Sequence, residues 1–198
     1  MYKKLSNVLT DKFVELGIVE SQQHDVYCYC FEILLSYVAY ALVFIVLAVF
    51  TGTFFYSLLF GVAFFTTRSI AGGYHAATYS ACHLLSLLNQ GLFILLIVFL
   101  PQEYHPVASV GATLMSSALL LIFAPIDHPN KPFIKTERKR FRRICCVYAY
   151  VIPVVIVALV LFATQLSTYI LSFSLGIFSA AFALLSAKIQ QTKEKPNP

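Results

Sequence analysis

"YCFEILLSYVAYALVFIVLAVF" fills residues 29–50 and holds one charged side chain, Glu32. A bilayer core about 30 Å thick is crossed by roughly 20 apolar helical residues, so this run is long enough to span. Its apolar residues do not alternate with polar ones, as the strands of a membrane β-barrel do. It therefore reads as a helix. Five more runs of the same kind follow, at 53–67, 82–100, 107–124, 144–162 and 169–187. The run at 53–67 is short, and a crossing there implies little tilt or a locally thinned bilayer.

The whole chain agrees with its runs. Its 198 residues are 59% hydrophobic and 12% charged, with a mean hydropathy of +0.79, whereas soluble domains carry roughly 25% charged residues. The expected fold is all-α: a polytopic membrane protein with six transmembrane helices in a single membrane-embedded domain over 1–198. No cleavable signal peptide is visible. Residues 1–25 instead place Leu5, Val8, Leu9, Phe13 and Leu16 at helical spacing beside Lys3, Lys4 and Lys12. Such a helix lies in the membrane interface or packs on the protein's own cytosolic face.

Orientation follows from the basic residues, which collect on the cytosolic side of membrane proteins. With the N-terminus inside and six crossings, the cytosolic segments are 1–28, 68–81, 125–143 and 188–198. All 14 Lys and Arg residues fall in them. The outer connections, including "PQEYHP" and "ATQLST", hold none. The basic loop "PIDHPNKPFIKTERKRFRR" is a topology signal on anionic headgroups or a docking surface for an acidic partner. Its "TERKRFRR" part has the composition of a helical lead into the fifth span.

Five cysteines, Cys28, Cys30, Cys82, Cys145 and Cys146, then lie near the cytosolic side, where thiols stay reduced. The C-x-C and C-C pairs suit a tetrahedral zinc site less well than C-x₂₋₄-C pairs. They read as packing residues, and neither metal nor cofactor is expected.

Chemistry concentrates in the polar break "RSIAGGYHAATYSAC", residues 68–82. His75 and Cys82 on one continuous helix are separated by about 10.5 Å of rise, too far for a base to reach its nucleophile. The pair works only if the chain bends, and Gly72-Gly73 permits a bend. Ser80 reads as the N-cap of the third span, placing Cys82 in a first helical turn, where the helix N-terminus favours the thiolate. A thiolate, a nearby imidazole and free backbone N–H groups are the parts of a cysteine acyl-transfer site. His83 is the poorer base, because adjacent helical side chains diverge by about 100°.

Arg68, "AGGYHA" at 71–76 and Cys82 together resemble the signature of the accessory gene regulator B family. "APIDHPNKP" at 124–132, followed by Glu137 and a basic run, resembles its second block. The resemblance covers essentially the whole chain. It implies a bacterial cell-membrane cysteine endopeptidase that processes a short precursor peptide into a cyclic quorum-sensing signal. Cys82 is then the nucleophile and His75 its base. The precursor loses its C-terminal tail, and acyl transfer within the peptide closes a thiolactone or lactone. Arg68, Gly72, Gly73, Asp127, Asn130, Lys131 and Glu137 take supporting or substrate-binding roles, with Asp127, Asn130 and Glu137 as alternatives for orienting His75. The implied partners are the precursor, membrane lipids and a second copy of the chain, with no nucleic acid. The rival readings are a non-enzymatic transporter or permease subunit exporting a peptide, and a structural partner of a signalling kinase. The scarcity of charge within the spans and the lack of an internal repeat weigh against transport.

Overall fold

The computed structural model describes residues 2–72, 79–126 and 134–194. The described residues form seven α-helices and no strand: α1 (Tyr2–Glu15), α2 (His24–Phe50), α3 (Phe54–Ala71), α4 (Tyr79–Phe99), α5 (His105–Phe123), α6 (Lys135–Phe162) and α7 (Ser167–Glu194), with short 3₁₀ turns ahead of α2, α5 and α7. Six of them, α2 to α7, are long and apolar enough to cross a membrane. The all-α, multi-pass architecture expected from composition is the one observed.

Several boundaries differ from expectation, and mostly in one direction. α2 starts at His24 and α7 continues to Glu194, while α6 takes in the basic run from Lys135 as the helical lead that its composition suggested. Charged and polar residues are good helix formers, so an apolar run marks the membrane-embedded part of a helix and not its end. α1 is shorter than the 1–25 expected. Gly17 adopts φ +70°. Its N–H bonds to Val14 O at 2.9 Å and the Ile18 N–H to Phe13 O at 3.0 Å, the pair of bonds that closes a helix through a left-handed residue.

The chain divides into two compact units. The first comprises residues 1–52 and 76–88. In it α1 packs on α2 through its small polar face: Ser6 and Thr10 are fully buried, and Cys28 Sγ lies 3.3 Å from Ser6 Oγ and 2.6 Å from Asn7 Oδ1. The rings of Phe13 and Phe31 meet at 5.2 Å. Leu5 and Val8 stay exposed. α1 thus docks on the protein's own α2 and still presents Leu5 and Val8 outward.

The second unit comprises residues 53–75 and 89–198, and α7 is its axis. α3 and α5 both pack along α7. Gly176 and Ala180 stand one turn apart on α7, the small-xxx-small spacing that brings membrane helices close. A Cβ on Gly176 would collide with the Phe60 carbonyl oxygen and lie 2.8 Å from Ala63 Cβ. Phe60 stacks on Phe93 at 4.3 Å, so the crossing has no slack. Between α5 and α7, Thr113 Oγ1 donates to Ser174 Oγ at 3.0 Å, and His105 Nδ1 lies 3.1 Å from Thr168 Oγ1. Gly176→Leu is expected to destabilise the protein by about 1–3 kcal/mol or more through overpacking, read as a lower unfolding midpoint in detergent. An unchanged midpoint would show that α3 and α7 have room to part.

Candidate active site

α3 runs through the start of the polar break. Ser69 Oγ bonds back to Thr66 O at 2.8 Å and Thr66 Oγ1 to Val62 O at 2.7 Å, so these hydroxyls satisfy themselves on the helix and do not end it. The polar break expected from residue 68 is therefore helical as far as Ala71, and Arg68 sits in the last turn of α3. There it is half-buried, its Cζ 5.7 Å from the centre of the Phe64 ring. A cation in this turn is favoured by the helix dipole.

Gly72 ends the helix at φ +81°, with its N–H on Arg68 O at 3.0 Å. A Cβ at Gly72 would lie 2.6 Å from the Ile126 carbonyl oxygen. The Ile126 N–H donates to Ala71 O at 3.1 Å. Glycine is required here twice, once for its backbone angle and once for space. The contact also joins the two segments singled out by sequence, the "AGG" that precedes His75 and the "API" that precedes Asp127.

Cys82 lies in the first turn of α4, half-buried and with a free thiol. Its Sγ has no hydrogen-bond partner among the described residues. The first four N–H groups of a helix have no acceptor within it, so the thiol sits where backbone donors accumulate. Ser80, expected as the N-cap, is the second residue of α4 instead, because the hydrogen-bonded run starts at Tyr79.

His83 points to α2. Its ring stacks on Tyr40 at 5.4 Å and 17° and meets Tyr37 edge-on at 5.7 Å and 76°. Ser86 Oγ, one turn on, bonds to Cys82 O at 3.0 Å. The imidazole is enclosed by tyrosines, and its Nε2 is buried with no hydrogen-bond partner among the described residues. This is the environment of a packed ring.

The family model for Accessory gene regulator B matches residues 2–185. The chain belongs to the accessory gene regulator B family. Over 110 residues it is 30% identical to the Accessory gene regulator protein B of Staphylococcus epidermidis, and equally to the proteins of that name from two strains of the species. The alignment covers 56% of this chain and 55% of theirs. The chain thus spans about half the length of the curated relatives it matches. No solved structure matches it.

Of the supporting residues expected in this family member, Glu137 has a clear place. Its Oε2 accepts the Ile134 N–H at 3.3 Å at the start of α6, the backward half of a capping box. His75, Gly73, Asp127, Asn130 and Lys131 lie outside the described residues.

Two contacts escaped the sequence reading. Arg142, counted there with the topology charges, is half-buried, and its guanidinium forks onto the end of α5, donating to Leu121 O at 2.6 Å and Ala124 O at 2.5 Å. Hydrogen bonds to charged groups contribute about 1.5–3 kcal/mol each, more than a surface cation offers. One turn on, Cys145 is fully buried, with its Sγ 3.5 Å from Ile70 O. Spacing gave no sign of either role, since both contacts are made by residues far apart in sequence.

Proposed function

We propose that this protein is a membrane cysteine endopeptidase that cuts the C-terminal tail from a short precursor peptide and promotes its cyclisation. Family membership supports the reading, and one structural observation carries it. Cys82 offers a free, half-buried thiol at a helix start, and within the second unit Gly72 of the first family block meets Ile126 of the other through backbone atoms. The Cys82 thiolate attacks the scissile carbonyl, the leaving amine takes a proton from His75, and the tail departs, leaving a thioester. A thiol or hydroxyl within the peptide then attacks that thioester, the Cys82 thiolate leaves, and the ring closes.

Asp127, Asn130 and Glu137 are the alternatives for orienting His75, and of them Glu137 also caps the start of α6. The one-sided distribution of Lys and Arg puts the site and both termini on the cytosolic side. The apolar side chains that α2 and α6 expose suit a lipid surrounding, and a second copy of the chain is the expected protein partner.

The test is the protein reconstituted in liposomes with the peptide encoded beside its gene, one with a central Cys or Ser and an acidic tail. Release of the tail as a discrete fragment is the expected result. Passage of the intact peptide across the vesicle wall with no tail released would replace this reading with a permease.

A further inference from the structure

Cys82 stands in the first turn of α4, where a helix has least to hold it. The first four N–H groups lack acceptors within the helix, and helix ends open more readily than their middles. The next residue supplies a hold. His83 projects about 100° round the helix from Cys82 and meets α2, which belongs to the same compact unit. Its ring lies on Tyr40 with centroids 5.4 Å and planes 17° apart, and it meets Tyr37 edge-on at 5.7 Å and 76°. Both are arrangements that aromatic pairs prefer. Tyr37 and Tyr40 are three residues apart on α2 and share a face. Phe44, one turn further, lies 6.1 Å from Tyr40 and continues the row.

These contacts use the flat ring of His83 and not its chemistry. Nε2 is buried with no hydrogen-bond partner among the described residues, whereas a proton-transferring histidine needs a nitrogen within hydrogen-bonding reach of the reacting group. One turn on, Ser86 Oγ bonds to Cys82 O at 3.0 Å, which ties Cys82 to the turn that follows. With His83 caught by two rings of α2, the first turn of α4 cannot twist or unwind without breaking the stack.

We infer that Tyr37 and Tyr40 are positioning residues for Cys82: by holding the His83 ring they fix the first turn of α4 and with it the direction of the thiol. The inference rests on the proposed role of Cys82 as nucleophile. It gives His83, the rival base by sequence, a task that another flat ring can perform.

The experiment uses the full chain in liposomes with the precursor peptide. Tyr40→Leu and His83→Leu each remove one ring, Tyr40→Phe and His83→Phe keep it, and a double Leu variant removes both. Each single Leu variant should lower the turnover number for tail release about tenfold or more, since misplacing a reacting group by about 1 Å costs up to about a hundredfold. KM should change little, because substrate binding is not what the stack serves. The double variant should be no worse than either single one, as the two rings form one contact. Both Phe variants should recover most of the turnover. Hydrogen–deuterium exchange, read without peptide, is followed at the amides of residues 83–86, the first with acceptors inside α4. It should speed about tenfold in the Leu variants, as an end that opens more often does, and stay parent-like in the Phe variants. If Tyr40→Leu fails to insert, His83→Leu and the Phe variants carry the test. Parent-like exchange and turnover in the Leu variants would overturn the inference, and so would losses that multiply in the double variant or that Phe does not rescue. A parent that releases no tail would instead remove the enzymatic reading, and the exchange data would still decide whether the tyrosines hold the first turn of α4.

Discussion

Cys82→Ala is expected to abolish tail release, and His75→Ala to lower it by at least about a hundredfold, the lower range for loss of a general acid–base. Both should insert normally, since Cys82 is only half-buried and its Sγ makes no hydrogen bond among the described residues. His83→Phe is the informative control. It keeps a ring to stack on Tyr40 and meet Tyr37 while removing both ring nitrogens, so it should retain most of the activity. Cleavage is followed by mass spectrometry of the released tail at saturating peptide. Full loss in His83→Phe together with activity in His75→Ala would reverse the assignment of the base.

A precursor whose internal Cys or Ser is replaced by Ala should still be cut, and should then stall as a covalent adduct on Cys82. The reason lies in the chemistry of the thioester. Exchanging one thioester for another is close to thermoneutral apart from ring strain, so the internal thiol takes the acyl group without ATP. Hydrolysis discards that potential, and a site at the membrane edge limits it by holding the nucleophile close and water scarce. The adduct is sought by mass spectrometry on the reconstituted protein after rapid quench, and neutral hydroxylamine should release it. Prompt release of tail and linear peptide, with no adduct even at the shortest times, would exclude the acyl-enzyme.

Both experiments concern residues that were legible in the sequence, and the reason is general. Six apolar runs and the one-sided Lys and Arg are properties of the chain against a bilayer, which acts on each segment before any tertiary contact forms. Cys82, His75 and the glycine pair stood out because reactive and flexible residues are unusual between membrane spans. Helix ends were less legible: Gly17 closes α1 early, and α3 runs on to Ala71 because Thr66 and Ser69 bond within it.

What no local pattern displayed is how the candidate site is held. Arg142 looked like any interfacial cation until its guanidinium was found on the carbonyls of Leu121 and Ala124. Cys145 read as a packing residue and is buried, but its place beside Ile70 O came only from the tertiary structure. Gly72 permitted a bend by its composition alone, but the requirement for glycine comes from the Ile126 carbonyl pressed against it. By itself the sequence determined that the protein is built of helices apolar and long enough to span a membrane, with a polar break that ends in a cysteine. The tertiary structure decided which residues anchor the start of that break, because those contacts join α3, the end of α5 and α6. A backbone carbonyl left over at a helix end takes whichever donor the packing of other helices brings to it.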